Sequence, residues 1–185
     1  MLNNNTNYHR RSIRLPDYDY TQPGAYFVTI CTWNRKCLFG EVINSEMILN
    51  RIGQVVQQEW LRLRIRFPLV DFPIYTFMPN HVHGIIFITE AMNPKGSDDT
   101  AYIAGSQQGK TTIQVVSGSL GAIVRAFKAS VTWRLHAAGL LNQVHVWQRN
   151  YYEHVIRNEE DLQSISDYIE SNPQNWQRDR LFTLI

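Results

Sequence analysis

Apolar residues occur along this chain in two patterns, dense runs and helically spaced positions, and the two patterns alternate. The runs are rich in β-branched and aromatic residues and predict strands over 25–33, 69–78 and 81–89. Pro79 and Asn80 separate the last two runs, so we expect those strands to pair as a hairpin. A shorter run over 144–148 predicts an edge strand.

Three other segments carry apolar residues at the spacing of an α-helix. The first predicts a helix of about five turns that begins with Ser45 as its N-cap and includes Ile48. The second predicts a helix whose apolar face consists of Leu120, Ile123, Val124, Phe127, Val131 and Leu135. The third predicts a helix that begins after Asn158 and stops at Pro173.

Two segments lack such patterns. Residues 1–23 are polar and are interrupted by Pro16 and Pro23, which predicts an N-terminal arm. Residues 91–118 are dominated by Gly, Ser, Gln, Asp and Thr, and we expect a mobile loop there. The length of 185 residues and the lack of an internal repeat predict one domain over 1–185.

Charge and cysteine content narrow the class of protein. The formal net charge of +2 argues neither for nor against nucleic acid, but 14 of the 18 basic residues are arginines, which favours a polyanionic partner. Cys31 and Cys37 match neither a disulfide framework nor a zinc site, so we expect a reduced, cytoplasmic protein. No secretory signal and no apolar run of about 18 residues is present, which argues against secretion and membrane insertion.

His81 and His83 are the first candidate for chemistry. Side chains alternate between the two faces of a strand, so both imidazoles project from the same face of the sheet. Two converging nitrogens are half of a metal site, which needs a third ligand from another element. The alternative is that one histidine is a satisfied polar residue and the pairing is a coincidence.

Tyr168 and Asn172 are the second candidate. They are four residues apart on the predicted last helix, so a phenol and an amide lie on one face of it. The alternatives are that Tyr168 extends the apolar face and that Asn172 is a helix cap before Pro173.

Together the two candidates indicate a reaction at phosphorus. A metal ion would draw charge from the oxygens of a phosphate while a tyrosine hydroxyl attacks it in line and forms a phosphotyrosine. Only about one tyrosine in a thousand is ionised at pH 7, so the site must supply a base or a positive field. The metal, Arg125 or Lys128 could provide that field.

Several segments, in order, carry a resemblance to a known family: 11–16 (RSIRLP), 24–32 (GAYFVTICT), 78–84 (MPNHVHG), 120–129 (LGAIVRAFKA) and parts of 146–173. They resemble the REP-associated tyrosine transposase branch of the HUH single-tyrosine transposases. The resemblance covers most of the chain, and the joint occurrence of the segments is far more specific than the two histidines alone.

The resemblance implies a ferredoxin-like α+β fold, with an antiparallel sheet that carries the histidines and with helices packed on one face. It also implies that His81, His83 and Asn172 bind Mg²⁺ or Mn²⁺ and that Tyr168 is the nucleophile. Imidazole is a softer ligand than Mg²⁺ prefers, which favours Mn²⁺ in vitro. Tyr151 and Tyr152 are rival phenols, and helical spacing to Asn172 favours Tyr168.

The implied substrate is single-stranded DNA, often a folded hairpin, of which one strand is cut and rejoined through a 5′-phosphotyrosine. Related transposases are often homodimers, so a homodimer is a further expectation. The basic residues that we expect to contact DNA are Arg10, Arg11, Arg14, Arg35, Lys36, Arg125 and Lys128. Interleaved aromatic residues suit base stacking, although Trp33 is expected in the core of a strand.

Three alternatives stay open on the sequence. The first is a non-catalytic protein that binds DNA hairpins. The second is a metal-dependent hydrolase in which His81, His83 and a carboxylate such as Glu153 activate water. The third is RNA binding through Arg125 and Lys128.

Overall fold

A computed structural model describes residues 18–90, 118–141 and 145–183. Its elements, in chain order, are β1 (Gly24–Cys31), a 3-10 turn (Trp33–Arg35), β2 (Gly40–Ile43), β3 (Glu46–Leu49), α1 (Arg51–Leu61), α2 (Leu63–Arg66), β4 (Val70–Asp71), β5 (Tyr75–Met78), β6 (His81–Ile88), α3 (Leu120–Ala137), β7 (Tyr152–Ile156), α4 (Glu159–Ser171) and a second 3-10 turn (Trp176–Arg178). Arg10, Arg11 and Arg14, most of the expected N-terminal arm and nearly all of the expected 91–118 loop lie outside the described residues.

The central sheet is antiparallel throughout and has β1 and β6 in its middle. β7 pairs with the free side of β1, and β4 and β5 follow one another along the free side of β6. With α1 between β1 and β5 and α3 between β6 and β7, this is the ferredoxin-like βαββαβ arrangement. The predicted α+β class is confirmed.

Both faces of the sheet are covered by helices. Val28 and Val82 belong to the main core, where α1 and α3 pack against the sheet. Phe27 and Ile85 point the other way and pack against Ile169 of α4. The expectation that the helices pack on one face therefore holds for α1 and α3 but not for α4. The reason is that β1 and β6 are apolar on both faces, and each face needs cover.

The predicted α3 and α4 are confirmed. All six predicted apolar positions of α3 are buried. The side chain of Asn158 accepts a hydrogen bond from the Asp161 N–H, and α4 ends at Ser171, before Pro173.

Local geometry changes the predicted start of the first helix. Asn50, not Ser45, is the N-cap of α1, since its side-chain oxygen accepts from the N–H groups of Ile52 and Gly53. Asn44 and Ser45 both have positive φ and form the turn of the β2–β3 hairpin, which contains Ile48. A two-residue turn with such dihedrals matches the twist of a hairpin, so strand pairing prevails over helical spacing there.

Two predicted strands also differ. The predicted strand over 69–78 is interrupted around Pro73, which has no N–H for a ladder, and is divided into β4 and β5. The predicted edge strand over 144–148 is a single bridge between Thr32 and Trp147 among the described residues. The strand that completes the sheet, β7, begins only at Tyr152.

Gly84 allows α1 to lie close to β6, the strand that carries His81 and His83. A Cβ atom added to Gly84 would lie 2.5 Å from Cζ2 of Trp60, which is buried against Phe72 and Phe127. We expect Gly84→Ala to lower the free energy of unfolding by about 1–3 kcal/mol, because the indole has little room to shift. Urea denaturation measures this, and an unchanged midpoint with an unchanged slope would contradict the contact.

Within the described ranges, no helix is both long and apolar enough to cross a bilayer.

Candidate active site

The two histidines of β6 point to the face of the sheet that α4 covers, as the period of a strand predicts. Both rings are buried, and their centroids are 4.4 Å apart. The Asn80 amide oxygen lies 2.8 Å from Nδ1 of His81, and the Thr29 hydroxyl lies 2.9 Å from Nδ1 of His83. An amide oxygen can only accept, so His81 carries its proton on Nδ1 and presents a lone pair on Nε2. The same tautomer of His83 is compatible with its threonine partner.

Asp179 and Asn172 complete this arrangement from the C-terminal end of the described chain. One ligand atom from each of His81, His83 and Asp179 lies within 4.8 Å of the others. Asn172 donates from Nδ2 to Oδ2 of Asp179 at 2.9 Å. Asp179 was not predicted from the sequence. It follows Asn172 closely along the chain, but it lies beyond the end of α4, so neither helical nor strand periodicity relates it to the histidines.

The buried polar atoms fit a divalent cation. Nε2 of His81 and Oδ1 of Asn172 are buried without a hydrogen-bond partner among the described residues. Such orphaned atoms are rare because each loses its hydration without compensation. Two imidazole nitrogens, a carboxylate and an amide oxygen form a donor set for Mn²⁺, or for Mg²⁺ with added water.

Burial keeps the histidines neutral. It lowers the pKa of His81 from 6.5 to about 4, although the negative charge of Asp179 and the Asn172 side chain oppose the shift. Burial, together with the neighbouring His81, also lowers the pKa of His83 well below its ordinary value. Neutral imidazole is the form that binds metal.

This burial predicts a pH dependence of stability in the metal-free protein. Below pH 6.5 the unfolded chain binds a proton at His81. The native state binds this proton only when the pH falls to about 4. The free energy of unfolding should therefore fall, by up to about 1.4 kcal/mol per pH unit from this group, as the pH drops through that window. Urea unfolding in EDTA at pH 7, 6 and 5 measures it.

The test of this assignment is His81→Gln, which should reduce the pH dependence and leave the part that comes from His83. The matched control is His136→Gln, at an exposed position of α3, which should keep the slope of the parent. Equal slopes in all three proteins would contradict the assignment.

Tyr168 projects from α4 onto the histidines. Its hydroxyl lies 3.3 Å from Nε2 of His83, and the two rings are 5.2 Å apart. Burial and then the charge of Asp179 raise the pKa of the phenol, while Asn172 and Arg180 act in the opposite direction. The phenol is therefore held protonated unless further positive charge enters the site.

The rival phenols, Tyr151 and Tyr152, line the same cleft as Tyr168 but have different neighbours. Tyr152 shares the face of the sheet with His83 and packs against Phe27, with ring centroids 6.1 Å apart. Tyr151 packs against the main core beneath the Lys128 ammonium, which lies 5.8 Å from the centre of the ring. The Tyr168 hydroxyl lies within hydrogen-bond distance of His83, which favours Tyr168 as the nucleophile.

Glu153 lies on the face of the sheet opposite to the histidines, which argues against the hydrolase in which Glu153 would activate water. It is opposite Val28 in the β1–β7 register and alternates with Val155, and both valines belong to the core on the α1 and α3 side. Side chains on alternate residues of a strand share a face, so Glu153 points away from His83. The carboxylate beside the histidines is that of Asp179.

The predicted DNA-binding residues within the described chain divide into two groups. Arg35 lines the cleft with Tyr168, and Lys36 next to it is exposed. Arg125 is exposed on α3, and neither it nor Lys128 is among the residues that line the cleft.

Lys128 has local partners instead. Its ammonium donates to the carbonyls of Gln148 and Asn150, and burial lowers its pKa to about 8. The positive side chain that acts on Tyr168 is that of Arg180, rather than the Arg125 or Lys128 expected from the sequence.

Two of the proteins that this chain is similar to bear on its family and its fold. No protein-family model matches the sequence. A protein of Haemophilus influenzae described as uncharacterized is 44% identical over 176 residues, which cover 95% of this chain and 94% of that protein, so the two belong to one family.

The second is a solved structure, a REP-associated tyrosine transposase bound to a REP hairpin. It matches with a TM-score of 0.54 and 21% identity over 88% of this chain and 73% of that chain. At that level of identity the match concerns the fold.

Proposed function

We propose that this chain, which has the fold of the REP-associated tyrosine transposase of the HUH class, is a metal-dependent enzyme that cuts and rejoins one strand of DNA. The proposed intermediate is a 5′-phosphotyrosine on Tyr168. The observation that carries the proposal is the Tyr168 hydroxyl, 3.3 Å from Nε2 of His83, in a cleft that Asn172 and Asp179 also line and beside which His81 is buried.

Four side chains would hold Mg²⁺ or Mn²⁺: His81, His83, Asn172 and Asp179. The bound ion would withdraw charge from the scissile phosphate and favour the ionised phenol. Asn80 and Thr29 would keep the two imidazoles oriented through their Nδ1 atoms.

Tyr168 would form the covalent bond. Its oxygen attacks phosphorus in line, the new Tyr–O–P bond forms as the P–O3′ bond breaks, and the electron pair leaves on O3′. The phenolic proton passes to water, since the side chain is 46% exposed, and O3′ takes a proton from solvent. A free 3′-hydroxyl reverses these steps, so one phosphodiester replaces another and rejoining needs no separate energy source.

We propose DNA with an unpaired or hairpin structure as the partner. The solved transposase that shares this fold is bound to a REP hairpin. Arg35 and Lys36 beside the cleft suit a phosphate backbone.

The test is incubation of the protein with a labelled library of single-stranded hairpins and Mn²⁺. We expect a denaturing gel to show a covalent adduct, and peptide mapping to place the nucleotide on Tyr168. Cleavage without an adduct would favour the hydrolase, now with Asp179 as its carboxylate. Tight binding without cleavage would favour the non-catalytic hairpin-binding protein.

A further inference from the structure

The chain that leads into β7 pairs with the end of β1 in an interrupted register. Thr29 is opposite Tyr152 in the ladder, and Thr32 is opposite Trp147 in the isolated bridge. Three steps along β1 therefore correspond to five steps along the other segment, which has two residues in excess. These residues form a β-bulge over 148–151, between the bridge and β7.

The pairing before the bulge is regular. The Trp33 N–H donates to the Val146 carbonyl, and the Gln148 N–H donates to the Cys31 carbonyl, both at 2.9 Å. β1 ends at Cys31, so Trp33 lies outside the strand core in which the sequence predicted it, and its side chain is 40% exposed. The ladder fixes both ends of the bulge, whereas carbonyls that point out of the ladder need other donors.

The bulge forms part of the wall of the cleft that contains Tyr168. Gln148, Asn150 and Tyr151 all line this cleft, which has a volume of about 850 Å³. Bulges often occur next to active sites, where they change the direction of a side chain. The shape of the bulge therefore decides which groups this wall presents to the cleft.

Lys128 of α3 binds the bulge at three points. Its ammonium donates to the carbonyls of Gln148 and Asn150 at 2.9 and 3.0 Å and lies 5.8 Å from the centre of the Tyr151 ring. Hydrogen bonds from an ammonium are stronger than those from a neutral donor, and an ammonium over an aromatic ring is also attractive. Lys128 is not among the residues that line the cleft, so it acts on this wall from behind.

The backbone of Lys128 binds the residue that precedes the bulge. Nε1 of the buried Trp147 donates to the Lys128 carbonyl at 3.2 Å, and the Thr132 hydroxyl donates to the same carbonyl at 2.8 Å. Within the described ranges Lys128 forms no ion pair. A partly buried ammonium needs acceptors in place of water, and here the carbonyls of the bulge supply them.

We propose that Lys128 is a positioning residue for this cleft, which holds the bulge in the shape that presents Gln148, Asn150 and Tyr151 to the reaction at Tyr168. This inference rests on the proposed function and adds a residue behind the cleft on which the geometry of the reaction depends. None of the contacts described for Lys128 involves a metal ligand or Tyr168. Its loss should therefore change the wall and leave the metal site as it is.

The first measurement is hydrogen exchange of the free protein by mass spectrometry. Lys128→Met keeps a long, unbranched side chain but removes the charge and all donors. We expect the amides of 145–151 to exchange at least about 10-fold faster in this variant, because two charge-assisted hydrogen bonds that oppose local opening are lost. The amides of α4 should exchange as in the parent.

The second measurement is the rate of adduct formation in a single turnover, at saturating hairpin DNA and Mn²⁺. We expect Lys128→Met to lower this rate about 10- to 100-fold, as a displacement of about 1 Å in a positioning group does. Mn²⁺ affinity from calorimetry should change less than about twofold, since distant sites act independently. The matched control is Arg51→Met, which removes one exposed positive charge outside the cleft and should behave as the parent.

A deletion variant tests whether Lys128 acts through the bulge, and it keeps the test valid if Lys128→Met does not fold. Deletion of Arg149 and Asn150 removes the two extra residues, so that Trp147 and β7 can pair with β1 in one continuous register. An even number of residues is removed, so every side chain keeps its face. In this background Lys128→Met should fold and should cause no further increase in exchange over 145–151.

Four outcomes would overturn the inference. The first is exchange over 145–151 in Lys128→Met that equals that of the parent, and the second is an equal increase in every peptide of the chain. The third is an effect of Lys128→Met, including loss of folding, that is as large in the deletion background as in the parent. The fourth is a deletion variant that forms the adduct at the rate of the parent.

Failure of this inference differs from failure of the proposed function. If the parent forms the adduct and folded Lys128→Met forms it equally fast, only the positioning role is wrong. If the parent forms no adduct, the proposed function fails, and hydrogen exchange still decides whether Lys128 holds the bulge.

Discussion

Tyr168→Phe is expected to abolish the covalent protein–DNA adduct and to reduce strand cleavage at least about 1,000-fold, because it removes the oxygen that would bond to phosphorus. The phenyl ring can keep its contacts with Phe27 and His83. DNA affinity should therefore change less than about twofold, as expected for a group that acts in the chemical step. Cleavage of a labelled hairpin in Mn²⁺ and a parallel binding titration measure the two effects.

Tyr152→Phe is the matched control. The two phenols are 45% and 46% exposed, and their rings lie 6.1 and 6.2 Å from Phe27. They differ in that the Tyr168 hydroxyl reaches His83. Tyr152→Phe should form the adduct as the parent does. Loss of the adduct in Tyr152→Phe with full activity in Tyr168→Phe would move the nucleophile to Tyr152.

The second large effect is expected for Asp179→Asn, which should weaken Mn²⁺ binding by about 100-fold or more and remove metal-dependent cleavage. The substitution keeps the size of the side chain, but its single amide oxygen can accept from Nδ2 of Asn172 or from the Leu181 N–H and not from both, so thermal unfolding must show that the variant is folded. It removes the negative charge beside His81 and His83. Loss of a group that merely orients a ligand typically costs 10- to 100-fold, so loss of the charged ligand itself should cost at least as much. Isothermal titration calorimetry with Mn²⁺ measures it.

Asp167→Asn controls for the loss of one carboxylate. Asp167 is exposed on α4, where it accepts a hydrogen bond from Gln163, away from the histidines. Its variant should bind Mn²⁺ with the affinity of the parent. If Asp179→Asn also binds like the parent, Asp179 is not a ligand, and the amide of Asn172 would have to be the third one.

Features that depend on a few neighbouring residues could be predicted from the sequence. His81 and His83 share a face because side chains alternate along a strand, whatever that strand pairs with. Tyr168 and Asn172 share a face because four residues are close to one helical turn. The start of α4 at Asn158 and the buried face of α3 follow equally from local spacing. Ser45 does not begin a helix, because Asn44 and Ser45 have positive φ and form the two-residue turn of the β2–β3 hairpin.

Features that join distant parts of the chain required the tertiary structure. Glu153 and Asp179 are both acidic residues near the candidate site in sequence, but the β1–β7 register turns Glu153 away from the histidines. The path after Pro173, tied back to Asn80 through Leu181, brings Asp179 next to His81 and places Arg178 and Arg180 in the cleft. Periodicity acts over one or two turns of a helix or strand, whereas these contacts depend on hydrogen bonds between residues about one hundred positions apart. The chain alone therefore predicts the histidine pair and the tyrosine helix, and only packing decides which carboxylate and which arginines meet them.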